Sequence, residues 1–104
     1  INCPLPPGSG SDAFRAAVLD QWRPALDAFA PQLLLISAGF DAHAADEMSH
    51  LRFTTADYAW VTEIACDVAS RHAHGRVVST LEGGYELRAL AASAAAHIEK
   101  LALA

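Results

Sequence analysis

The chain has 104 residues, of which 53% are hydrophobic and 18% charged, and its formal net charge is −5. This acidic balance, with only seven scattered Lys and Arg residues, argues against a nucleic-acid module, which needs a basic patch for phosphates. No apolar stretch is long enough to span a bilayer. The length and the low charged fraction indicate a piece of a larger fold, in which the remainder covers apolar surface of this piece. An Ala-rich compositional bias of the host would give the same hydrophobic and charged fractions.

The first segment is predicted to be a loop followed by a helix. Prolines and glycines crowd residues 4–10, where they disfavour regular structure. Ser9 or Ser11 is expected to cap the helix, with Asp12 near its positive end. Pro24 lies inside the helical pattern and predicts a kink or a split. The apolar residues at helical spacing are Phe14, Ala17, Val18, Trp22, Ala25, Leu26 and Phe29.

The middle of the chain is predicted to be a strand, a loop and a second helix. The short apolar run at 33–38, between a Pro and a Gly, predicts a strand buried on both faces, as in parallel sheets. Residues 39–53 show no period and are predicted to form a loop. The segment from Thr54 to Asp57 resembles a capping signal, and Gly75 is expected to end the helix. Its predicted inner face holds Val61, Ile64, Ala65 and Val68.

Residues 76–81 predict a second strand, residues 82–85 a tight turn, and the remaining residues an amphipathic helix. The predicted inner face of this helix holds Leu87, Leu90, Ala91, Ala94, Ile98 and Leu101. The order helix, strand, helix, strand, helix predicts an α/β fold with a parallel sheet and a right-handed crossover. Two strands alone make a poor sheet, so further strands are expected from another part of the parent chain.

Chemistry is expected beyond the carboxyl ends of the two strands, where open α/β sheets bind ligands. Asp41 follows the first strand and Tyr85 the second, each just past a glycine. A carboxylate can bind a borderline cation, and a phenol beside it could donate to a developing oxyanion. Both residues also fit plain turn chemistry: Asp41 as a cap or turn former and Tyr85 as a surface side chain.

The two cysteines, Cys3 and Cys66, are isolated from each other and form no Cys-x-x-Cys pair. They are expected to be free thiols in a reducing compartment. The sequence does not open with a signal peptide, so a cytoplasmic location is expected.

Two linked motifs resemble a known family. Ser-Ala-Gly-Phe-Asp-Ala-His at 37–43 and Leu-Glu-Gly-Gly-Tyr at 81–85 resemble hallmark blocks of the histone deacetylase and acetylpolyamine amidohydrolase superfamily, especially its class II and bacterial branches. Residues 2–8 resemble the loop that precedes these blocks, so the resemblance covers essentially the whole chain. It implies that residues 1–104 are the carboxy-terminal portion of one deacetylase domain. The fold that it implies is a three-layer, parallel-sheet α/β fold of the arginase/deacetylase type.

The resemblance also assigns roles to residues. Asp41 matches the last of three protein ligands of a Zn²⁺ cofactor, and Tyr85 matches the tyrosine that polarises the amide carbonyl and stabilises the tetrahedral intermediate. Met48 falls where an apolar side chain lines the acyl channel. Gly83 and Gly84 match the tight backbone beside that channel. The implied activity is hydrolysis of N-acetyl amides on lysine side chains or polyamines, and the sequence does not choose between these substrates.

The sequence departs from the family pattern in several places. The Asp-x-His zinc ligands and the His-His pair for proton transfer belong to the upstream half and have no counterpart here. Glu47 replaces the proline usual before the channel residue. His43 lies within the first motif and is expected to support the site or lie on the surface, not to bind the metal. Four more histidines are expected on the surface: His50, His72, His74 and His97.

These departures leave two functional interpretations. The first is the carboxy-terminal section of a deacetylase, inactive alone and completed by the rest of its domain or by another copy in a homo-oligomer. The second is a non-catalytic fragment or interaction protein that keeps the fold. A nucleotide-binding module is disfavoured because the Gly-x-Gly-x-x-Gly fingerprint is missing.

Overall fold

The computed structural model describes all 104 residues as four α-helices, one π-helical segment and two strands. Their order along the chain agrees with the predicted alternation of helices and strands. No helix combines the length and the apolar composition needed to cross a membrane. The elements are α1 (Ser11–Ala17), the π-helical segment (Val18–Trp22), α2 (Arg23–Phe29), β1 (Leu34–Ala38), α3 (Thr55–His72), β2 (Val77–Leu81) and α4 (Leu87–Leu103).

The two strands form a parallel sheet, with α3 between them in sequence. The register runs from Leu34 opposite Val77 to Ala38 opposite Leu81. The prediction that β1 is buried on both faces is wrong for this chain, since Leu35 is 70% exposed. Alternate strand residues face opposite sides of a sheet, and the helices of residues 1–104 cover only one of them. The chain therefore has two layers, the two-stranded sheet and the helices that cover one of its faces.

The first helical stretch differs from its prediction at its start. Gly10 occupies the N-cap position and makes no side-chain capping bond. The expected caps bond elsewhere: the Ser9 hydroxyl donates to the Pro6 carbonyl at 2.7 Å, and the Ser11 hydroxyl donates to Asp57 at 2.5 Å. A long-range partner for Ser11 thus displaced the local capping bond.

Pro24 neither ends nor separates the helical stretch. It lies in the first turn of α2, directly after the π-helical segment. A proline lacks the N–H for the i→i−4 bond and crowds the preceding turn, and a wider π turn is a known way of accommodating such a break. The predicted disturbance at Pro24 therefore appears as a change of helix type.

Helix α3 begins as predicted with a capping box. Thr54 accepts a hydrogen bond from the Asp57 N–H through its side chain, and the Asp57 carboxylate accepts one from the Thr54 N–H. Val68 is fully buried, whereas Val61 and Ile64 are only half-buried. Gly75 follows the helix with φ of +74° and donates its N–H to the Ala69 carbonyl at 3.0 Å, which agrees with its predicted terminating role.

Helix α4 packs with only part of its predicted inner face, of which Leu90 and Ala94 lie against the hydrophobic core. Its buried residues are Ala89, Ser93 and His97, which recur every four positions. Ile98, which was expected inside, is 62% exposed. Small and polar residues line the buried face because α4 approaches α3 closely and hydrogen-bonds to it.

The core lies between the helices and the covered face of the sheet. Phe14 stacks on Phe53 with ring centroids 4.2 Å apart, and Phe40 packs on Tyr58 at 5.0 Å. Residues 39–53 form the predicted loop, which an isolated bridge from His43 to Phe53 ties down. The buried cluster comprises Phe14, Val18, Ala38, Phe40, Phe53 and Tyr58.

Candidate functional site

The two segments that follow the strands lie side by side at one edge of the sheet. The Glu82 N–H donates to the Ala38 carbonyl at 2.9 Å, and the Phe40 N–H donates to the Gly83 carbonyl at 2.8 Å. These bonds continue the pairing of β1 and β2 past their last residues. Asp41 and Tyr85 come next in the two segments, so both lie beyond the carboxyl ends of adjacent parallel strands, as the sequence predicted.

Asp41 presents its carboxylate against glycine backbone. A Cβ atom built on Gly83 would lie 3.0 Å from the carboxylate carbon and from each of its oxygens. The main chain of Asp41 is held in place, because the Ser49 hydroxyl donates to its carbonyl at 2.8 Å. None of the side-chain hydrogen bonds within the chain ends on the Asp41 carboxylate. Its oxygens are therefore available to a ligand from outside the chain.

These surroundings suit one ligand of a zinc ion. Carboxylate oxygen is a zinc ligand, and glycine at position 83 leaves the Asp41 group space that a Cβ atom would occupy. A catalytic zinc site normally takes three protein ligands, however, and no group of three or more His, Cys, Asp or Glu side chains converges within residues 1–104. The chain fits zinc as the donor of one ligand and does not make a complete site.

His43 is turned towards its own loop. Its Nδ1 atom accepts a hydrogen bond from the Ala45 N–H at 3.0 Å, and its Nε2 atom lies 3.3 Å from the Thr55 hydroxyl. Because Nδ1 accepts, the neutral ring carries its proton on Nε2 and donates it to Thr55. Both ring nitrogens are thus engaged in hydrogen bonds within the chain.

Tyr85 has a fixed main chain and an open side chain. Its N–H donates to the Asp46 carboxylate at 2.7 Å. Its side chain makes no hydrogen bond within the chain, and the residue is 60% exposed. The phenol is therefore accessible at the same sheet edge as Asp41, and its hydroxyl can donate to a group from outside the chain.

Asp46 is a site residue that sequence reasoning missed. It is 5% exposed, and it accepts hydrogen bonds from the N–H groups of Met48 at 2.9 Å, Tyr85 at 2.7 Å and Glu86 at 3.1 Å. These donors, that of Met48 first, hold the pKa of Asp46 below its usual value because they favour the ionised carboxylate. The bond to the residue two positions later is typical of an Asx turn and was the available sequence signal.

The residues assigned to the acyl channel have different surroundings. Met48 is 64% exposed at the sheet edge. Gly83 faces Asp41, whereas Gly84 faces the interior: a Cβ atom on Gly84 would lie 2.7 Å from the Leu90 Cδ1 atom. The Gly84 φ of +139° also excludes most side chains.

His97 lies behind this edge, and the expectation that it is a surface residue is wrong. It is 7% exposed, and its ring packs edge-on to Phe40 with centroids 5.7 Å apart. Its two nitrogens bond to the Thr62 and Ser79 hydroxyls, each at 2.8 Å. Burial lowers the pKa of His97 because it penalises the charged ring.

The other three histidines lie outside the site. His72 is half-buried and pairs with Asp27 at 3.0 Å. His50 and His74 are exposed and have positive φ angles of 58° and 53°. None of the three makes a hydrogen bond to the Asp41 carboxylate, and the ring bonds of His72 go to Arg71 and Asp27.

A sequence model of the histone deacetylase domain matches residues 1–101. Histone deacetylase 10, chloroplastic, of Oryza sativa subsp. japonica is 43% identical over 95 residues, covering 91% of this chain and 21% of that protein. The histone deacetylase-like amidohydrolase of Pseudomonas aeruginosa is 41% identical over 85 residues, covering 82% of this chain and 22% of that protein. The chain thus spans about a fifth of the length of these relatives.

Two solved structures of histone deacetylases are also similar to the chain. The HDA15 HD domain superposes with a TM-score of 0.82 at 36% identity, covering 90% of this chain and 26% of that chain. The histone deacetylase Clr3 also superposes with a TM-score of 0.82, at 34% identity, covering 90% of this chain and 15% of that chain. The predicted α/β fold class is confirmed by these similarities.

Proposed function

Because the chain belongs to the histone deacetylase family, we propose that it is the carboxy-terminal part of a zinc-dependent deacetylase that hydrolyses N-acetyl amides of lysine side chains or polyamines. The observation that carries the proposal is the placement of Asp41 and Tyr85 at one sheet edge, both with functional groups free of partners in the chain. A carboxylate and a phenol in this relation can bind a cation and stabilise an oxyanion beside it.

In this proposal Asp41 holds the metal as one of three protein ligands, and the upstream half of the domain supplies the other two together with the general base. When bound, zinc lowers the pKa of a coordinated water and polarises the amide carbonyl. Tyr85 donates a hydrogen bond to the oxygen of that carbonyl as negative charge develops on it. Met48, Gly83 and Gly84 border the channel for the acyl group.

Residues 1–104 need a partner surface, for which we favour the remainder of the deacetylase domain. The uncovered sheet face exposes 70% of Leu35 and 56% of Val78. Next to the sheet, an open cavity of about 780 Å³ is lined mainly by apolar residues. Burying this surface against further strands and helices is strongly favourable. A second copy of the chain is the alternative occupant.

The free thiols of Cys3 and Cys66 support a reducing compartment. Burial raises the pKa of the Cys66 thiol, which agrees with a packing role. We propose a cytoplasmic location. The alternative is the chloroplast, because the name of the rice relative describes that protein as chloroplastic.

The test uses the full-length protein. Tyr85→Phe removes only the hydroxyl, so we expect kcat to fall by ~10²-fold or more with zinc content unchanged. Asp41→Ala removes a ligand, so zinc measured by mass spectrometry should fall together with activity on acetyl-lysine and acetylpolyamine substrates. The matched control is Tyr58→Phe, because Tyr58 is the other tyrosine of the chain and lies buried in the core. Full activity of Tyr85→Phe would refute the catalytic role.

A further inference from the structure

Asp46 joins the two loops that carry the candidate site. One carboxylate oxygen accepts the Met48 N–H at 2.9 Å, and the other accepts the N–H groups of Tyr85 at 2.7 Å and Glu86 at 3.1 Å. Met48 belongs to the loop after β1, and Tyr85 and Glu86 belong to the turn after β2. A single buried side chain, 39 positions before Tyr85 in sequence, therefore fixes the backbone on both sides of the sheet edge.

Further hydrogen bonds hold the two segments that Asp46 connects. The Asp46 N–H donates to the His43 carbonyl at 2.9 Å, and the Ala44 N–H donates to the Phe53 carbonyl at 2.8 Å. On the other side, Glu86 is the N-cap of α4 and accepts the Ala89 N–H at 2.8 Å. The carboxylate of Asp46 thus connects a loop tied to the core with the first turn of a long helix.

We propose that Asp46 is a positioning residue for the reaction, which holds Tyr85 in register with Asp41 and Met48; this inference rests on the proposed deacetylase function. The open phenol of Tyr85 has no hydrogen bond of its own in the chain, so its placement depends on its backbone. Among the side chains, only Asp46 bonds to that backbone. Misplacing a catalytic group by about 1 Å can cost ~10²-fold in rate.

The bonding pattern requires a carboxylate at position 46. Three N–H donors converge on two oxygens, and each oxygen is used. An asparagine of the same shape offers one oxygen and turns an NH₂ donor towards at least one of the N–H groups. Asp46→Asn therefore loses either the Met48 contact or both contacts to the turn after β2, and leaves buried donors unsatisfied.

The experiment compares Asp46→Asn, Tyr85→Phe and the double variant in the full-length zinc-loaded protein. The matched control is Asp20→Asn, because Asp20 is exposed and makes no hydrogen bond through its side chain. Three quantities are measured: kcat, bound zinc, and hydrogen exchange of the peptide that contains the Tyr85 and Glu86 amides. We expect Asp46→Asn to lower kcat by ~10- to 100-fold and to speed amide exchange in that peptide, with zinc content unchanged.

The double variant separates positioning from general stability. If Asp46 acts through the Tyr85 hydroxyl, Asp46→Asn should lower kcat little further in the Tyr85→Phe background. An equal fold-loss in both backgrounds, or unchanged exchange at Tyr85 and Glu86, would overturn the positioning role while the effect of Tyr85→Phe stands. Full activity of Tyr85→Phe itself would instead reject the proposed function and the positioning role with it.

Discussion

At the scale of single residues, two aspartates of one loop have opposite surroundings. Asp46 is buried and accepts three backbone N–H groups, so the fold already stabilises its negative charge. Asp41, five positions earlier, receives no side-chain or backbone donor on its carboxylate. A carboxylate that accepts no hydrogen bond from the protein can still bind a cation. A carboxylate whose oxygens already accept several hydrogen bonds holds the backbone in place instead. This difference distinguishes the candidate ligand from the positioning residue.

Gly83 and Gly84 are adjacent but should respond differently to a methyl group. In Gly83→Ala the new Cβ would lie 3.0 Å from the Asp41 carboxylate, so we expect weaker zinc binding with little change in stability. In Gly84→Ala the Cβ would lie 2.7 Å from Leu90 at a φ of +139°, so the free energy of unfolding should fall by ~1–3 kcal/mol. Zinc affinity and urea denaturation of the full-length variants check both outcomes. Equal zinc affinity in Gly83→Ala and the parent would contradict the first.

At the scale of elements, the start of α3 is held by a capping box and by side chains of α1. The Asp57 side chain is fully buried and accepts bonds from Ser11 at 2.5 Å, from Arg15 at 2.9 Å and from the Thr54 N–H at 2.9 Å. It therefore combines a helix cap with a link to α1. Burial is the largest single influence on the pKa of Asp57 and raises it, but the hydrogen bonds from these groups together outweigh burial and hold the pKa below its usual value.

Asp57→Ala should destabilise the protein by ~2 kcal/mol or more, because it removes the cap and leaves buried donors without acceptors. The matched control is Asp67→Ala on the same helix, whose ion pairs with Arg23 and Arg71 are largely exposed. Exposed pairs contribute little, so the control should stay within ~0.5 kcal/mol of the parent. Urea denaturation measures both. A loss for Asp57→Ala no larger than that of the control would contradict the structural role.

The contact of α4 with α3 and β2 predicts a pH dependence. The Thr62 hydroxyl donates to the Tyr58 carbonyl at 2.6 Å, so it must accept from Nδ1–H of His97, whose Nε2 accepts from Ser79. Burial places the folded-state pKa of His97 below 6.5. The unfolded chain then binds the proton more readily, so stability is complete above about pH 6.5 and declines as the pH falls below it.

His97→Gln cannot take up this proton. Between pH 7.5 and pH 5.5, the urea midpoint of the parent protein should fall by more than that of His97→Gln. The control is His74→Gln, because His74 is exposed and makes no hydrogen bond through its ring; its pH dependence should match that of the parent. Parallel pH profiles for His97→Gln and the parent would contradict the buried neutral ring.

At the scale of the whole molecule, the sheet is covered on one face only. Leu35 and Val78 are exposed by 70% and 56%, and Phe29, before β1, is exposed by 80%. Contiguous apolar surface and an unpaired strand edge favour association with another surface. The chain spans 21% of its rice relative, and the sequence beyond that span in the relative is long enough to supply further strands and helices.

The 104-residue chain alone should therefore bind zinc weakly, lack deacetylase activity and self-associate. Asp41 is one ligand where a catalytic site needs three, and the uncovered sheet face drives aggregation. The measurements are zinc content by mass spectrometry, turnover of an acetyl-lysine reporter with added zinc, and molar mass by light scattering. A monomer with stoichiometric zinc and with turnover that Tyr85→Phe abolishes would show that residues 1–104 complete a site without the upstream half.

The amino-acid sequence predicted the order of the helices and strands, the fold class and the family. Local signals suffice for these features: hydrophobic periodicity for α3, the Thr54–Asp57 capping box for its start, and two motifs whose spacing places Asp41 and Tyr85 after parallel strands. The direction of both strands follows from the helical crossover between them. The edge that carries the candidate site is therefore predictable from the sequence.

Which polar groups are buried, and which partners they bond to, is apparent only from the three-dimensional structure. Asp46, His97 and Ser11 are ordinary polar residues in the sequence, and each has a partner between 18 and 46 positions away. Periodicity reports which face of an element is apolar, so it favoured Ile98 over His97 as the buried residue of α4. A hydrogen bond between distant segments leaves no periodic pattern in the sequence, because it forms only when the fold brings those segments together.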